Sequence, residues 1–254
     1  MKISISIVTY NSEDEIRTVL NCLKYSDCNE FITIYIVDNG SIDNTKKIIK
    51  EEYKDCVLIE SDNVGYGAGH NKAINMINSD YHFILNPDIK FDSCLLSNIV
   101  NWFEKNPECV MATPDMYDMN GSKTYPPKRN PCLKYLIARY LKKKLPFMIK
   151  WEHEYIEYDN NCLIPYPIEI CSGAFMACNT KALKFIKGFD EIFFMYFEDF
   201  DLSRRMNNIG SVMCLPQFKF NHEGKRDAHH SKVARHLMIK SMIKYFQKWG
   251  LKIL

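Results

Sequence analysis

Between residues 3 and 113 the hydrophobic pattern switches repeatedly from a two-residue to a helical period. Residues 3–8 alternate and are rich in β-branched side chains, as strands are. Ser12 and Glu15 have capping-box spacing and open a helix expected to run to about residue 25. Strands are predicted at 32–37, 56–60, 81–85 and 109–113, with helices at 43–53, after the glycine-rich bend of 63–71 to residue 78, and at 92–105. Strand–helix alternation of this kind implies an α/β fold: a mostly parallel, doubly wound sheet with helices on both faces.

That regularity stops after residue 114. Residues 115–170 carry six prolines, the basic run Lys142-Lys143-Lys144 and an acidic, aromatic patch at 151–158. They read as an irregular insertion over the sheet edge, with one helix at 132–143. A strand at 170–177 returns the chain to the core, short strands follow at 212–215 and 218–221, and residues 229–254 read as a helix. The expected organisation is one domain over 1–224, with a first half to about 114, the insertion at 115–169 and a second half at 170–224. Residues 225–254 form a basic amphipathic segment.

The totals narrow the class of protein. With 33 basic and 31 acidic side chains the net charge is +2, which demands no polyanionic partner, and no nucleic acid is expected. None of the ten cysteines forms a Cys-x-x-Cys pair, and most lie in apolar runs, so buried reduced thiols are expected rather than zinc. No signal peptide is read at the start, and no apolar run reaches the ~18–20 residues of a membrane span. The expected location is the cytoplasm.

Ligands of an open parallel sheet bind at the carboxyl ends of its strands. Here those ends are Thr9-Tyr10-Asn11, Asp38-Asn39-Gly40-Ser41 and Asn86-Pro87-Asp88, all polar. Asp38 suits a base or ribose; its alternative role is to cap the helix at 43–53. The bend Asn63-Val64-Gly65-Tyr66-Gly67-Ala68-Gly69-His70-Asn71 would let backbone approach a ligand in front of a helix N-terminus. Asp88 is a candidate ligand for a divalent cation shared with substrate phosphates, although Asn-Pro-Asp is also turn chemistry. His222 is either structural or part of the same site. Glu198, Asp199 and Asp201 crowd three carboxylates behind an aromatic run. Mutual repulsion and an apolar surround raise carboxyl pKa values and make a proton acceptor near neutral pH. The same residues also suit a helix start, with Asp201 and Arg205 paired at i,i+4.

Taken in order, Thr9-Tyr10-Asn11, Val37-Asp38-Asn39-Gly40-Ser41, Asn63-x-Gly65-Tyr66-Gly67-x-Gly69-x-Asn71, Leu85-Asn86-Pro87-Asp88, Ser172-Gly173-Ala174-Phe175 and Gly188-Phe189-Asp190-Glu191 through Glu198-Asp199-x-Asp201-Leu202-x-x-Arg205 closely resemble the family 2 glycosyltransferases of GT-A (Rossmann-like) fold. The resemblance is to their bacterial rhamnosyltransferase-like branch and covers about residues 3–113 and 170–224. It implies inverting transfer of a sugar from a dTDP- or UDP-linked donor to a glycan or lipid-linked saccharide, in surface polysaccharide biosynthesis. The branch suggests dTDP-L-rhamnose; a UDP-hexose or UDP-N-acetylhexosamine is the alternative. It implies that Thr9, Tyr10, Asn11, Asp38, Asn39, Asn63, Gly65, Tyr66, Gly67, Asn71, Asn86 and Gly173 contact substrate. Glu198 would shape the acceptor pocket, Asp199 would be the base, and Asp88 and His222 would hold Mg²⁺ or Mn²⁺. Asn86 stands where the family's Asp-x-Asp motif has its first acid, and it is a weaker ligand. A pyrophosphorylase would carry an Arg-containing glycine loop after strand 1, which Thr9-Tyr10-Asn11 is not. A non-catalytic nucleotide- or glycan-binding module is disfavoured by the intact Glu198-Asp199-x-Asp201 cluster.

The C-terminal segment mixes Lys232, Arg235, Lys240, Lys244, Lys248 and Lys252 with apolar residues and Trp249. It reads either as an interfacial helix on an anionic membrane or as a helix docked on the core. Lys128-Arg129 and Lys142-Lys143-Lys144 are grouped with it as a basic surface.

Overall fold

A computed structural model describes residues 2–124, 128–142, 144–156, 162–224 and 231–253. Lys143 of the basic run, residues 157–158 of the acidic patch, and residues 225–230, where the C-terminal helix was expected to begin, lie outside the described residues.

Strands β1 (Ile3–Thr9), β2 (Ile32–Asp38), β3 (Val57–Glu60) and β4 (Tyr81–Leu85) are parallel in the order β3-β2-β1-β4. Helices α1 (Ile16–Lys24), α2 (Thr45–Glu52), α3 (Tyr66–Ile74) and α4 (Leu95–Lys105) connect or flank them. In α1, Ile16, Val19, Leu20 and Leu23 recur on one face and are all buried. Each such aliphatic side chain contributes about 1.5–3 kcal/mol on burial. The Ser12–Glu15 capping box does not form: α1 begins at Ile16, and the Ser12 N–H donates to Thr45 Oγ1 of α2 (2.8 Å).

The alternation of β1 has a second meaning. Ile3, Ile5 and Ile7 enter the main apolar core, while Ser4 and Ser6 on the other face are also buried. Their hydroxyls bracket the His82 ring, at 2.7 Å from Nδ1 and 2.9 Å from Nε2. Ser6 Oγ also meets His70 Nδ1 (2.7 Å). A polar strand face is therefore satisfied by two interior imidazoles rather than by water.

Beyond β4 the sheet becomes mixed. Strand β8 (Phe175–Asn179) enters antiparallel between β4 and β6 (Cys109–Tyr117), and β6 runs parallel to β9 (Ser211–His222). The two short strands expected at 212–215 and 218–221 are one long strand. Leu215 pairs with Pro114 and Lys219 with Asp115, so residues 216–218 bulge out. Pro216 has no N–H to give the ladder. The short strands β5 (Ile89–Lys90) and β7 (Tyr166–Pro167) both pair with β9. The insertion contributes α5 (Leu133–Leu141) and α6 (Ile149–Tyr155); α7 (Thr180–Phe185) follows β8, and α8 (Glu198–Asn207) precedes β9.

Helix α9 (Lys232–Trp249) is docked on the core through Ser241, Tyr245 and Trp249, spaced i,i+4,i+8. Tyr245 is fully buried against Phe197 and Phe200. The Lys252 and Ile253 carbonyls accept the N–H groups of Leu133 and Lys134, which open α5. Val233, Ile239 and Ile243 remain exposed.

Candidate active site

The register of the parallel strands brings the nucleotide-side residues together. Thr9 lies opposite Asp38, and its hydroxyl donates to Asp38 Oδ2 (3.1 Å). Asp38 Oδ1 accepts the Gly40 and Ser41 N–H groups (3.1 and 2.9 Å). The buried carboxylate shapes its own turn rather than capping α2. Asn11, at φ 53°, accepts the Ile42 N–H, and the Tyr10 ring is 55% exposed at this edge. Asn39 Nδ2 donates to the Gly65 carbonyl (2.9 Å), while Asn39 Oδ1 is buried without a protein partner.

The glycine-rich bend is packed against protein. At Gly65, φ is +93° and a Cβ would lie 2.1 Å from the Phe194 carbonyl oxygen. A Cβ at Gly67 would meet the Phe189 side chain, and one at Gly69 would meet Val8. Asn63 Oδ1 accepts the Gly65 N–H (3.2 Å). Asn71 donates to the Phe189 carbonyl and Glu191 Oε1 and accepts the Phe189 N–H, each at 2.9 Å. Both of its amide hydrogens are thus committed to residues 189–191. The glycines and Asn71 hold the loop that leads to α8 (Glu198–Asn207) against α3, a use their spacing did not reveal.

Asp88 and His222 meet because β5 pairs antiparallel with the end of β9. His222 Nε2 is 3.1 Å from Asp88 Oδ1 and 3.4 Å from Asn86 Nδ2, and the Gly224 N–H donates to Asp88 Oδ2 (3.2 Å). Burial would raise the Asp88 carboxyl, but the His222 hydrogen bond and field and the Gly224 N–H outweigh it, holding the group below its usual range. His222 Nδ1 is buried without a protein partner. Among the described residues no three His, Cys, Asp or Glu side chains converge on a metal position. An ionised carboxylate beside an imidazole fits a divalent cation completed by phosphate oxygens and water.

Glu198 and Asp199 open α8 immediately after Tyr196 and Phe197, whose φ values are 69° and 67°. Two successive bulky residues in the left-handed region are strained and persist only where surroundings hold them. Helix α9 supplies the hold: Ser241 Oγ donates to the Met195 carbonyl (2.7 Å), Lys244 Nζ to that of Ile192 (2.5 Å) and Lys248 Nζ to Asp190 Oδ2 (2.6 Å). Fully buried Asp201 accepts from Arg205 Nε (2.7 Å), Lys248 Nζ (2.7 Å) and Trp249 Nε1 (2.8 Å). The i,i+4 pair is therefore part of a larger anchor.

The other two carboxylates are poorly compensated. Glu198 is buried with Oε2 unpartnered; burial and the neighbouring Asp199 push its pKa well above the usual range. Burial also raises Asp199, countered by Lys128 and by N–H groups of Gly173 (3.3 Å) and Phe200 (2.9 Å). Asp199 lines a cavity with Lys128, Ser172, Thr113 and Asp115. Tyr66 OH donates to the Gly173 carbonyl (2.5 Å), linking the glycine bend to this cavity. Lys128 thus faces Asp199, and Arg129 lies 3.6 Å from Glu154; the basic surface expected to include this pair is divided.

Comparison with known proteins bears on the fold and the family. The glycosyl transferase family 2 model matches residues 4–186. The Escherichia coli (strain K12) rhamnosyltransferase WbbL is 26% identical over 237 residues, covering 88% of this chain and 84% of its own. The N-acetylglucosaminyl-diphospho-decaprenol L-rhamnosyltransferase of Mycobacterium tuberculosis is 24% identical over 220 residues, covering 80% of this chain and 69% of its own. Among solved structures, the Pyrobaculum calidifontis mannosyltransferase PcManGT in complex with GDP-Man and Mn²⁺ aligns with a TM-score of 0.66 at 16% identity, over 97% of this chain and 64% of that one. S. aureus TarS 1-349 in complex with UDP aligns at 0.62 and 18% identity, over 96% and 66%. The chain spans about two thirds of each of those structures. Among the described residues no helix is long and apolar enough to cross a membrane. The chain belongs to glycosyl transferase family 2 and is a glycosyltransferase of GT-A fold.

Proposed function

We propose that the protein transfers a sugar with inversion from a nucleotide sugar to a hydroxyl of a saccharide acceptor, with Asp199 as the base. The observation that carries this is Asp199 itself: its pKa is raised and it lines a cavity. An acceptor hydroxyl is a poor nucleophile and must lose its proton as it attacks the anomeric carbon. Attack opposite the leaving nucleotide inverts that carbon, and a single carboxylate suffices. Glu198, held neutral, lines the acceptor side and can donate a hydrogen bond there.

Thr9, Tyr10, Asn11, Asp38 and Asn39 form the nucleotide edge, where the unpartnered Asn39 Oδ1 suits a donor N–H or hydroxyl. Tyr66 and Gly173 join that edge to the base. Asp88 and His222 would hold Mg²⁺ or Mn²⁺, whose charge offsets that gathered on a leaving diphosphate. Asn86 in place of an acid leaves the cation with fewer protein ligands. The rhamnosyltransferase relatives favour dTDP-L-rhamnose as donor and a lipid-linked saccharide of surface polysaccharide synthesis as acceptor. A lipid-linked acceptor calls for peripheral contact with an anionic membrane at its cytoplasmic face, for which the exposed Val233, Ile239 and Ile243 beside Lys240 are suited.

A thermal-shift panel of dTDP-L-rhamnose, UDP-hexoses and UDP-N-acetylhexosamines, with and without Mn²⁺, tests the donor. At a hundredfold excess over Kd the matching donor should raise Tm by about 5–10 °C. Asp199→Asn should keep that shift and lose transfer. Transfer by the variant, or a panel without any shift, would overturn the reading.

A further inference from the structure

The insertion delivers one cation to the Asp199 cavity. Of the described residues lining it, Lys128 alone is basic. The segment carrying it is fixed at successive positions. Lys128 bridges antiparallel to Ile170, and the Arg129 N–H donates to the Tyr155 carbonyl (2.9 Å). The Asn130 N–H donates to Glu169 Oε2 (2.9 Å), and its Oδ1 accepts from Tyr245 OH (3.2 Å). The Lys128 ammonium stands 5.7 Å from the centre of the Phe200 ring, next in sequence to Asp199. Lysine's four-carbon stem is ordinarily free to wander. Here its base is tied to the sheet and its head lies over a ring packed on Phe197 and Tyr245.

We propose that Lys128 is a positioning residue that holds Asp199 in its ionised, proton-accepting form. The inference rests on Asp199 being the base. The other groups around Asp199 do not do this work. Glu198 on α8 is itself pushed toward its neutral form and supplies no positive charge. Tyr66 on α3, Tyr155 on α6 and Cys171 are all pushed up by burial and stay uncharged. Asp115 in the same cavity is neutralised by Lys123 (2.7 Å), and Arg139 acts on Lys128 by like-charge repulsion. Without Lys128, burial would favour the protonated acid, which cannot accept a proton.

Asp199 can be titrated in the full chain by carboxyl ¹³C NMR, with Asp199→Asn identifying its resonance. Lys128→Met should move its midpoint upward by about one pH unit, the low end of what a nearby opposite charge does. Lys128→Gln serves if the Met variant does not fold, and Lys128→Arg should restore the wild-type midpoint. The acid limb of kcat/KM, measured with the donor selected by the thermal-shift panel, should move with it. An unmoved midpoint in the neutral variants, or an Arg variant that behaves like them, would overturn the role of Lys128. Transfer by Asp199→Asn alongside a shifted midpoint would instead overturn the base assignment and leave the Lys128–Asp199 coupling in place.

Discussion

The polar strand ends around Asp38, proposed as the nucleotide edge, and the loop that carries the proposed base differ in how their polar groups are satisfied. At the strand ends Asp38 is closed by Thr9, Gly40 and Ser41, and toward the other end of the same sheet His82 is closed by Ser4 and Ser6. At the loop the backbone is strained at Tyr196 and Phe197, Glu198 Oε2 has no protein partner, and order is imposed from outside by α9. The first region is closed by its own neighbours except at Asn39 Oδ1. The other keeps under-compensated carboxylates and relies on the C-terminal helix to hold them. Buried, imperfectly paired acids are a means of tuning a base and a burden on stability.

The largest effect should come from the link between loop and helix. Asp201→Ala leaves Arg205 and Lys248 facing an emptied anchor, and breaking a buried pair costs about 3–5 kcal/mol. Chemical denaturation should register that loss, with turnover falling in parallel. A change below about 1 kcal/mol, the value of an exposed pair, would mean that the anchor does not hold the loop.

Gly65→Ala attacks the seam between the two regions. A positive φ and a Cβ 2.1 Å from the Phe194 carbonyl should cost about 1–3 kcal/mol. Turnover should fall more than donor-induced thermal shift, because the clash falls on the base-bearing side.

The regions should also respond oppositely to pH. Burial pushes His82 down to about 3 and His70 well below its usual value. The unfolded chain binds protons from about pH 6.5 downward that these rings refuse, so their contribution is lost as pH falls through that range. Glu198 and Asp199 are raised, so the folded state keeps protons that the unfolded chain has released above about pH 4. Their contribution declines as pH rises through the folded values. Glu198→Gln should therefore raise Tm at pH 8 by a few degrees, at about 2–4 °C per kcal/mol. His82→Gln should flatten the decline in stability between pH 7 and 5. Unchanged pH slopes in both variants would erase the contrast.

The smallest effect is expected at Arg17–Glu52, a pair 46% and 42% exposed. Glu52→Gln should leave the midpoint of a denaturation titration nearly unmoved and transfer untouched.

The half of the chain with local periodicity was the most legible. Strands at residues 3–8, 32–37 and 81–85 and the polar strand ends could be read directly, because a strand's partners and a turn's chemistry are written within a few residues. The Glu198-Asp199 cluster was also visible, since three acids behind aromatics are unusual anywhere. The pairing of Asp88 with His222 depends on two strands far apart in sequence meeting in register. The sequence pattern proposed both residues, and their 3.1 Å approach is a property of the sheet.

Three features had no local signature. The glycines of residues 65–69 pattern like a ligand-facing bend, yet their missing Cβ atoms make room for Phe194, Phe189 and Val8. The C-terminal helix has the composition of an interfacial helix, and its anchor, Tyr245, is one aromatic among many. Lys128 reads as one more basic residue in a proline-rich insertion until its bridge to Ile170 carries it to Asp199. Amino-acid order sets periods, turns and the supply of charges. Which charges are stripped of water, and which cation shares a cavity with Asp199, depends on contacts between segments distant along the chain, where burial decides the strength of every electrostatic interaction.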